Sequence, residues 1–440
     1  MKESFFMIKR AEELLFYLLL FSIPFQTRLI LWQQNWYFNE WQAVSLYGTD
    51  LLLIILFYFW FKTSLKFKLQ IQDYFLLLFL LFSGLSILNA DSMVISTYQF
   101  LKLTEFVLFY FYIKNYALGK FNVFNSFAAV LIGGFFQAII SIGQFIKQSD
   151  FGLRLFGETL LSPEIPGIAT FINTVGEKIL RPYGTTSHPN ILAAYLFVVV
   201  FTFYAYFLYK RRTENKKREY ALLAFYGILL FAFLLTFSRT VIFIFLIGLF
   251  IRWILLLFKG LLRKERLKIR ISRIATVSLL VGIIFSFLYW SEIKSRASIS
   301  SSDEAVALRL YYNNESLKYG VNLTGVGIGN FTNWLMEKNP YQERWFYQPV
   351  HNIYLLIYSE TGLFGVAFFL LFLIYLIKTF ISETGLKTVP EYSVLLMVAS
   401  VLFIGFFDHF LLTLQQGRLV FWLLLAMLNT NYTQKIAHHT

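Results

Sequence analysis

Three arginines and one histidine stand out in this sequence because their types suit phosphate chemistry: Arg181, Arg239, Arg309 and His351. The arginine guanidinium is a planar fork of N–H donors that can bind phosphate oxygens in pairs. Histidine has a pKa near neutrality and is the usual general base in enzymes. The four residues are far apart in the sequence, so they can form one site only if the surrounding elements bring them to one level.

The sequence around two of the arginines favours a functional position. Arg181 precedes a segment that includes Pro189, and proline suits the first turn of a helix, where its missing N–H costs nothing. The free N–H groups at such a helix start favour an anion. Arg239 lies in the short turn Thr236–Thr240 between two apolar blocks. An arginine there is costly unless it is paired or faces a wet cavity.

The third arginine and the histidine belong to the last long polar segment and its end. Ser301–Glu304 predicts the capped start of an amphipathic helix that carries Arg309 and stops near Gly320. His351 follows Gln348–Val350 and opens the next apolar block. Both residues are therefore expected close to a membrane surface, where a substrate in water or in lipid can reach them.

Each of the four residues also has a purely structural explanation. Arg181 could lie among lipid headgroups, and Arg309 could face solvent on its helix. Arg239 could pair with an acid such as Glu360 or Asp408. The histidine could be a helix-start residue whose ring bonds to its own loop. Their joint occurrence favours the functional explanation, because charges at membrane level seldom lack a role.

Other polar residues near the same level could border the same cavity. They are His188, Asn190, Asn352, Asp408, His409, Gln416 and Arg418. Polar groups deeper in the apolar blocks, such as Asp50 and Glu105, are better explained as contacts between helices.

The sequence gives no sign of a metal or cofactor site. It contains no cysteine, no His-x-x-x-His spacing and no paired acids in a polar loop. The glycine-rich stretch Gly325–Phe331 resembles a nucleotide-binding loop, but no strand of a βαβ unit precedes it, and the fingerprint needs that context. A tight loop is the better interpretation.

The elements that must position these residues are membrane-spanning helices. Hydrophobic residues make up 58% of the chain and charged residues 15%, against about 25% charged in soluble domains. A span needs about 20 mostly apolar residues. The sequence predicts an all-α polytopic protein with a single transmembrane domain over 1–440. The twelve predicted spans are 12–31, 43–61, 73–90, 94–113, 121–146, 188–209, 220–237, 239–258, 274–291, 351–377, 391–411 and 417–430.

The distribution of charge predicts which side of the membrane each loop faces. The formal net charge is +14, and Lys and Arg concentrate in alternate loops, as the positive-inside rule requires of cytoplasmic ones. This explains the charge without nucleic acid. Both termini are then cytoplasmic, and the two long segments 147–187 and 292–350 are external loops, the second lying over the active site. All four leading residues are predicted on the non-cytoplasmic side.

The sequence around these residues resembles the O-antigen ligase and O-antigen polymerase superfamily of bacterial lipid-linked glycan transferases. The resemblance is carried by Arg181–Asn190, Leu235–Arg239, Gly325–Phe331, Val350–Leu355 and Glu360–Gly362. The order of these motifs and their common side of the membrane make the combination more specific than any one of them.

The resemblance implies a metal-independent, inverting glycosyltransferase of the multispan type in the bacterial inner membrane. Such an enzyme takes a glycan from undecaprenyl diphosphate on the periplasmic side and passes it to an acceptor glycan, lipid or protein, as in lipopolysaccharide synthesis. Residues resembling Arg239 and Arg309 hold the diphosphate, and one resembling His351 deprotonates the acceptor hydroxyl. Arg181 is more typical of the wider superfamily.

Two alternatives remain open at this point. A polymerase of the same superfamily would differ only in its acceptor, which nothing in the sequence identifies. A transporter of lipid-linked glycans belongs to another class, and such proteins usually contain internal repeats and broken helices at the midplane. The sequence contains no internal repeat, which favours the enzyme.

Overall fold

The computed structural model describes residues 2–63, 68–209, 216–258, 265–297, 304–319 and 323–428, and these are mostly helical. The first nine helices are α1 Lys2–Ser22, α2 Gly48–Thr63, α3 Ile71–Leu85, α4 Met93–Tyr112, α5 Leu118–Lys120, α6 Val123–Lys147, α7 Pro189–Tyr209, α8 Lys216–Leu235 and α9 Arg239–Phe258. The others are α10 Glu265–Leu288, α11 Trp290–Ala297, α12 Glu304–Tyr319, α13 Phe331–Lys338, α14 Ile353–Thr384, α15 Val389–Ile404, α16 Phe410–Thr413 and α17 Gln415–Met427.

The helices are those of a polytopic membrane protein. Within the described part of the chain, six stretches are long and apolar enough to cross a bilayer, and a shorter apolar helix covers Pro390–Ile404. The six are Ile71–Asn89, Val123–Lys147, Pro189–Leu208, Lys216–Leu235, Leu267–Leu288 and Ile353–Thr384. Each of the twelve predicted spans overlaps a helix, but their number is not confirmed and stays a prediction.

The first predicted span is wrong in its second half. Helix α1 ends at Ser22, just before Pro24, since proline cannot continue a helix. The chain then forms strand β1, Arg28–Gln33, which pairs antiparallel with β2, Ala43–Tyr47. The start of the second predicted span is therefore a strand as well. We call residues 28–47 the hairpin.

Helix α7 forms the centre of the bundle. It is apolar on all sides, as expected for a helix surrounded by others, and its window Pro189–Leu208 is 100% buried. It packs against α6, α8, α9, α15 and α17. Its first residue, Pro189, therefore lies near the middle of one end of the bundle. The first external segment leads into it.

Three helix boundaries differ from the predicted spans in a way that concerns the site. Helix α7 begins after His188, α14 begins after His351, and α15 ends at Ile404, ahead of Asp408 and His409. These four side chains thus lie at helix ends and not within the spanning helices, where their polar groups can meet one another.

Helix α14 is broken near its start by Gly362, whose φ is +71°. The glycine-rich stretch Gly325–Phe331 packs against this break: Val326 N donates to Ser359 O at 2.9 Å, and Gly327 N donates to Glu360 O at 3.0 Å. The stretch is a tight loop that is hydrogen-bonded to the spanning helix α14. A side chain at Gly362 would meet Leu323 O at 2.3 Å, so only glycine fits.

Two strands and a helix lie within the predicted external segments. Strands β3, Thr170–Ile172, and β4, Lys178–Leu180, pair antiparallel within 147–187. Helix α12 confirms the helix predicted to carry Arg309. Its expected cap at Ser301–Asp303 and its expected stop at Gly320 lie outside the described residues.

Candidate functional site

Arg181 connects the first external segment to the turn between α8 and α9. It directly follows β4, and its backbone N donates to Ala169 O at 3.1 Å. Its side-chain Nε donates to Thr236 O at 2.9 Å, and its Nη2 donates to Asn190 Oδ1 at 2.9 Å. Arg181 is buried, with 7% of its surface exposed. These contacts join three parts of the chain that are distant in sequence.

Asn190, in the first turn of α7, is the centre of this network. Its Oδ1 also accepts from Ser238 Oγ at 3.2 Å, and its Nδ2 donates to Asp408 Oδ2 at 3.1 Å. Its backbone N donates to Nδ1 of His188 at 3.1 Å. A single amide side chain thereby joins the arginine, the α8–α9 turn and the carboxylate.

The two histidines His351 and His409 lie in contact. Their ring centroids are 4.8 Å apart and the rings are nearly perpendicular, at 80°. His351 also stacks on Tyr312 of α12, with ring centroids 5.7 Å apart and an interplanar angle of 12°. His409 shares a hydrogen bond of 2.7 Å between its Nδ1 and Thr413 Oγ1. We call His351 and His409 the histidine pair.

Asp408 links the histidine pair to the arginine network. Its Oδ1 accepts from the backbone N of His409 at 2.9 Å, while its Oδ2 accepts from Asn190. Nδ1 of His351 is buried and has no hydrogen-bond partner among the described residues. The imidazole of His351 is thus held by packing and retains a ring nitrogen with unused hydrogen-bonding capacity.

The predicted arginines converge on this place. Arg309 is close enough to interact electrostatically with Arg181, His351 and Asp408. Arg239, the first residue of α9, interacts in the same way with Arg181. Together with Arg296, described next, these three arginines form what we call the arginine cluster: Arg181, Arg239, Arg296 and Arg309.

Sequence reasoning missed the fourth member, Arg296 of α11. Its Nη2 donates to Phe237 O at 3.4 Å, and its guanidinium lies over the Phe171 ring at 5.6 Å. Among the arginines, it also repels Arg181 most strongly. The signal was present, since Arg296 is a basic residue in a predicted external segment, where the positive-inside rule does not explain it.

The cluster changes the acidity of its own members. Burial and the neighbouring guanidinium groups, of Arg296 first and then Arg309 and Arg239, lower the pKa of Arg181 to about 9. Burial alone would raise the pKa of Asp408, but the electrostatic interactions with His409, His351, Arg309 and His188 outweigh burial and lower this pKa to about 2. Arg181 is charged and Asp408 ionised at neutral pH, and the arginines repel one another.

The histidines, in contrast, are neutral at physiological pH. Burial lowers the pKa of His351, and Arg309 acts in the same direction, while Asp408 and the Pro349 carbonyl oppose it. Burial lowers the pKa of His188 and of His409 to about 3, with Arg181 the next cause for His188 and His351 the next cause for His409. A neutral imidazole can accept a proton, whereas a guanidinium cannot.

The remaining predicted lining residues divide into two groups. Asn352 caps α14, since its side chain accepts from the backbone N of Tyr354 at 2.9 Å and of Leu355 at 3.2 Å. Gln416 and Arg418 lie on α17, both buried. Arg418 donates to Gln99 and to Leu412 O, and it lines a cavity that none of the arginine cluster lines.

The deeper acids are bound within the bundle. Lys102 of α4 forms ion pairs with Asp50 at 2.7 Å and with Glu105 at 2.8 Å, and Gln415 donates to Asp50 at 2.5 Å. These contacts between α2, α4 and α17 agree with a structural role for Asp50 and Glu105. Lys102, which the sequence did not single out, is the ion-pair partner of both acids.

A comparison with protein families bears on the class of protein that the geometry leaves open. Residues 224–370 match the family model described as O-antigen ligase. Over this part of the chain, the match supports the resemblance to the O-antigen ligase superfamily that the motifs predict. This family contains membrane glycosyltransferases of the O-antigen ligase and polymerase type. No curated protein sequence matches the chain significantly.

The O-antigen ligase match contains part of the site. Arg239, Arg309 and His351 lie within it, whereas Arg181 and Asp408 lie outside. The contacts of Asn190 therefore connect the matched segment to parts of the chain on both sides of it.

Proposed function

We propose that this chain transfers a glycan from undecaprenyl diphosphate to an acceptor hydroxyl at the periplasmic face of the bacterial inner membrane, as an O-antigen ligase does. The observation that carries the proposal is the convergence of the arginine cluster on a neutral histidine with an unpartnered ring nitrogen. The match to the O-antigen ligase family supports the same class of reaction.

The arginine cluster is the proposed diphosphate site, with Arg239 and Arg309 as the leading ligands and Arg181 as a third. A guanidinium suits phosphate because two of its N–H groups bind two oxygens together. The mutual repulsion of the arginines, which lowers the pKa of Arg181, disappears when a dianion lies between them. The cluster is therefore arranged for a bound anion.

His351 is the proposed general base. The acceptor hydroxyl gives its proton to the imidazole while its oxygen attacks the anomeric carbon, and the bond to the diphosphate oxygen breaks. A single displacement of this kind inverts the anomeric centre. The arginines stabilise the negative charge that develops on the leaving diphosphate, as preorganised electrostatic groups do in other enzymes. Because they supply the positive charge, the proposed reaction requires no metal.

Asp408 and Asn190 are proposed to position the site. Asp408 is ionised and contacts both the backbone of His409 and the side chain of Asn190. It stabilises the imidazolium that His351 becomes after taking the proton, because opposite charges nearby favour the charged form. Asn190 holds Arg181 at a fixed distance from this carboxylate.

The decisive experiment uses the purified full chain in nanodiscs with the host's own undecaprenyl-diphosphate-linked glycan. A ligase releases undecaprenyl diphosphate and adds the glycan's mass to a separate acceptor, as mass spectrometry will detect. A polymerase instead lengthens the lipid-linked glycan. If lipid-linked glycan moves between leaflets without any new glycosidic bond, the protein is a transporter and the proposal is wrong.

A further inference from the structure

The hairpin exposes a continuous apolar strand. In β1, the side chains of Leu29, Ile30, Leu31 and Trp32 are between 40% and 61% exposed. Successive side chains of a strand point to opposite faces, so β1 is apolar on both faces. Strand β2 differs, because its alternate residues are buried and it packs against α2 and α4. Within the described residues, β1 pairs with β2 alone, so its other edge is open.

A second exposed apolar segment lies beside the start of the hairpin. The backbone N of Gln26 donates to Phe156 O at 3.2 Å, and Thr27 Oγ1 donates to Leu155 O at 2.7 Å. The side chain of Leu155 is 85% exposed. We call residues 29–32 together with Leu155 and Phe156 the apolar rim. An exposed apolar surface of this kind marks a site of contact with a membrane or with another protein.

The apolar rim continues the exposed apolar surface of the neighbouring helices. On α6, which is long and apolar enough to span the membrane, Ile132, Ile139 and Ile146 are exposed at intervals of seven residues and form one stripe. From the end of this stripe the chain leads through residues 148–154 to Leu155. Helix α2 begins directly after β2 and exposes apolar side chains near its start: Leu51, Ile54 and Ile55.

Two features limit how deeply the hairpin can enter a bilayer. The unpaired N–H and C=O groups of an open strand edge do not occur in contact with lipid in the hydrocarbon region. The hairpin also carries the ion pair between Arg28 and Glu40, and Trp36 at its turn lies 4.3 Å from the guanidinium of Arg344. Tryptophan is enriched where the membrane meets water. The hairpin therefore suits the headgroup layer better than bulk water or the hydrocarbon core.

We propose that the apolar rim lies in the lipid headgroup layer of the protein's own membrane, on the side of the histidine pair. In water, an exposed hydrophobic edge strand is an aggregation hazard, and contact with lipid removes it. A second copy of the chain could cover β1, but the continuity of the rim with the exposed surfaces of α2 and α6 favours lipid, which contacts all three.

The position of the apolar rim bears on the depth of the histidine pair. Trp41 belongs to the same hairpin, and its ring contacts that of His409 at 5.5 Å between centroids. A hairpin fixed among the headgroups thus holds the histidine pair at a set distance from the membrane surface. This distance matters for a donor whose diphosphate lies among the headgroups, a consequence that rests on the proposed function. The position of the rim itself does not rest on it.

Site-directed spin labelling can measure the depth of the rim. The chain contains no cysteine, so each introduced cysteine marks one place. Leu31→Cys and Leu155→Cys put a nitroxide on the rim, and Ile139→Cys puts one on the exposed stripe of α6. Glu164→Cys is the matched control, because Glu164 is an exposed charged residue of the same external segment as Leu155. The full-length variants are studied in nanodiscs.

The measurement compares collisions of each nitroxide with oxygen, which concentrates in lipid, and with a nickel chelate, which stays in water. At both rim positions, the ratio of oxygen to nickel collisions should be severalfold above that of Glu164→Cys and below that of Ile139→Cys. A ratio at Leu31→Cys equal to that of Glu164→Cys would place the rim in water and overturn the proposal. Few collisions with either reagent would show that protein covers the rim, which also overturns it. Spin–spin broadening in nanodiscs with two copies would then identify a second copy as the cover. None of these readings requires glycan transfer, so a failure of the proposed function would not affect them.

Discussion

His351 packs against two other rings. Tyr312 stacks on it at an interplanar angle of 12°, and the His409 ring lies nearly perpendicular to it at 4.8 Å. The ring also interacts with the Pro349 carbonyl of its own loop, but its Nδ1 has no hydrogen-bond partner within the described residues. An imidazole ring that is held by packing, and that keeps one nitrogen without a hydrogen bond, is suited to receive a proton from a substrate.

Replacing this base should remove catalysis and leave binding intact. In His351→Gln, glycan transfer should fall by roughly 10²- to 10⁴-fold, because that is the usual contribution of a general base. Binding of undecaprenyl diphosphate should be unchanged, since the arginine cluster is untouched. Single-turnover transfer and donor binding, measured on the same preparation, check both statements. If His351→Gln transfers glycan at near the wild-type rate, His351 is not the general base, and His188 or His409 becomes the next candidate.

The arginines are predicted to act through geometry as well as charge. Arg239→Lys and Arg309→Lys keep the charge but lose the planar fork, so each should reduce kcat/KM about 10- to 100-fold. Arg154→Lys is the control, because Arg154 is exposed in the first external segment. Full activity in both lysine variants, with normal thermal melting, would show that bidentate contacts are not required.

The neutral histidines should make the fold sensitive to acid. His188 and His409 have a pKa of about 3 when folded, against about 6.5 when unfolded, so the unfolded chain binds more protons between these values. Stability is therefore lost as the pH falls below about 6.5. From pH 6.5 to 5, His409 alone should contribute a loss on the order of 1–2 kcal/mol. Melting curves at both pH values should show this, and His409→Gln should reduce the shift. An unchanged melting temperature at pH 5 would contradict it.

At the scale of elements, the break in α14 anchors the loop Gly325–Phe331. This loop donates backbone hydrogen bonds of about 3 Å to Ser359 O and Glu360 O, and it leads into α13. The hairpin contacts α13 as well, where Gln42 donates to Asn333 at 2.7 Å. Trp41, next to Gln42 in the hairpin, contacts the ring of His409.

The glycine at this break can be tested directly. Gly362→Ala should destabilise the protein by about 1–3 kcal/mol, because the φ of +71° and the contact with Leu323 O at 2.3 Å leave no room for a side chain. Gly282→Ala is the matched control, since Gly282 lies in helix α10 with nothing within 4 Å. That change should be neutral or stabilise by up to about 1 kcal/mol. Equal melting temperatures for the two variants would show that the break is not required.

The sequence predicts helices well where a long apolar run determines them, and less well where turns decide. The run after Phe25 is apolar enough to extend a span, but Pro24 ends the helix, and its residues pair as a strand with Ala43–Tyr47. Arg181 and Asn190, nine residues apart, belong to one sequence motif, and their side chains form a hydrogen bond in the structure. The contact of Trp41 with His409 joins positions 368 residues apart. Tertiary packing alone creates it.

At the scale of the whole molecule, charge is separated between the two ends of the bundle. The loops of the end that is predicted to be cytoplasmic contain runs of lysine and arginine such as Lys216–Arg218. The described contacts gather Arg181, Arg239 and Arg296 around one place at the opposite end. The positive-inside rule explains the first kind of charge and does not explain the second.

The orientation of the bundle is the prediction on which the site depends, because a periplasmic substrate requires the histidine pair on the outer side. Basic loops remain in the cytoplasm during insertion, so phosphatase fusions after Lys217 and after Lys268 should be inactive. Fusions after Ser162 and after Glu343, in the two long segments, should be active, and a fluorescent-protein series at the same four positions should give the reverse pattern. If the phosphatase is active after Lys217 and inactive after Ser162, the arginine cluster faces the cytoplasm. The donor would then have to be used before it crosses the membrane, and a periplasmic transferase could not be built on this site.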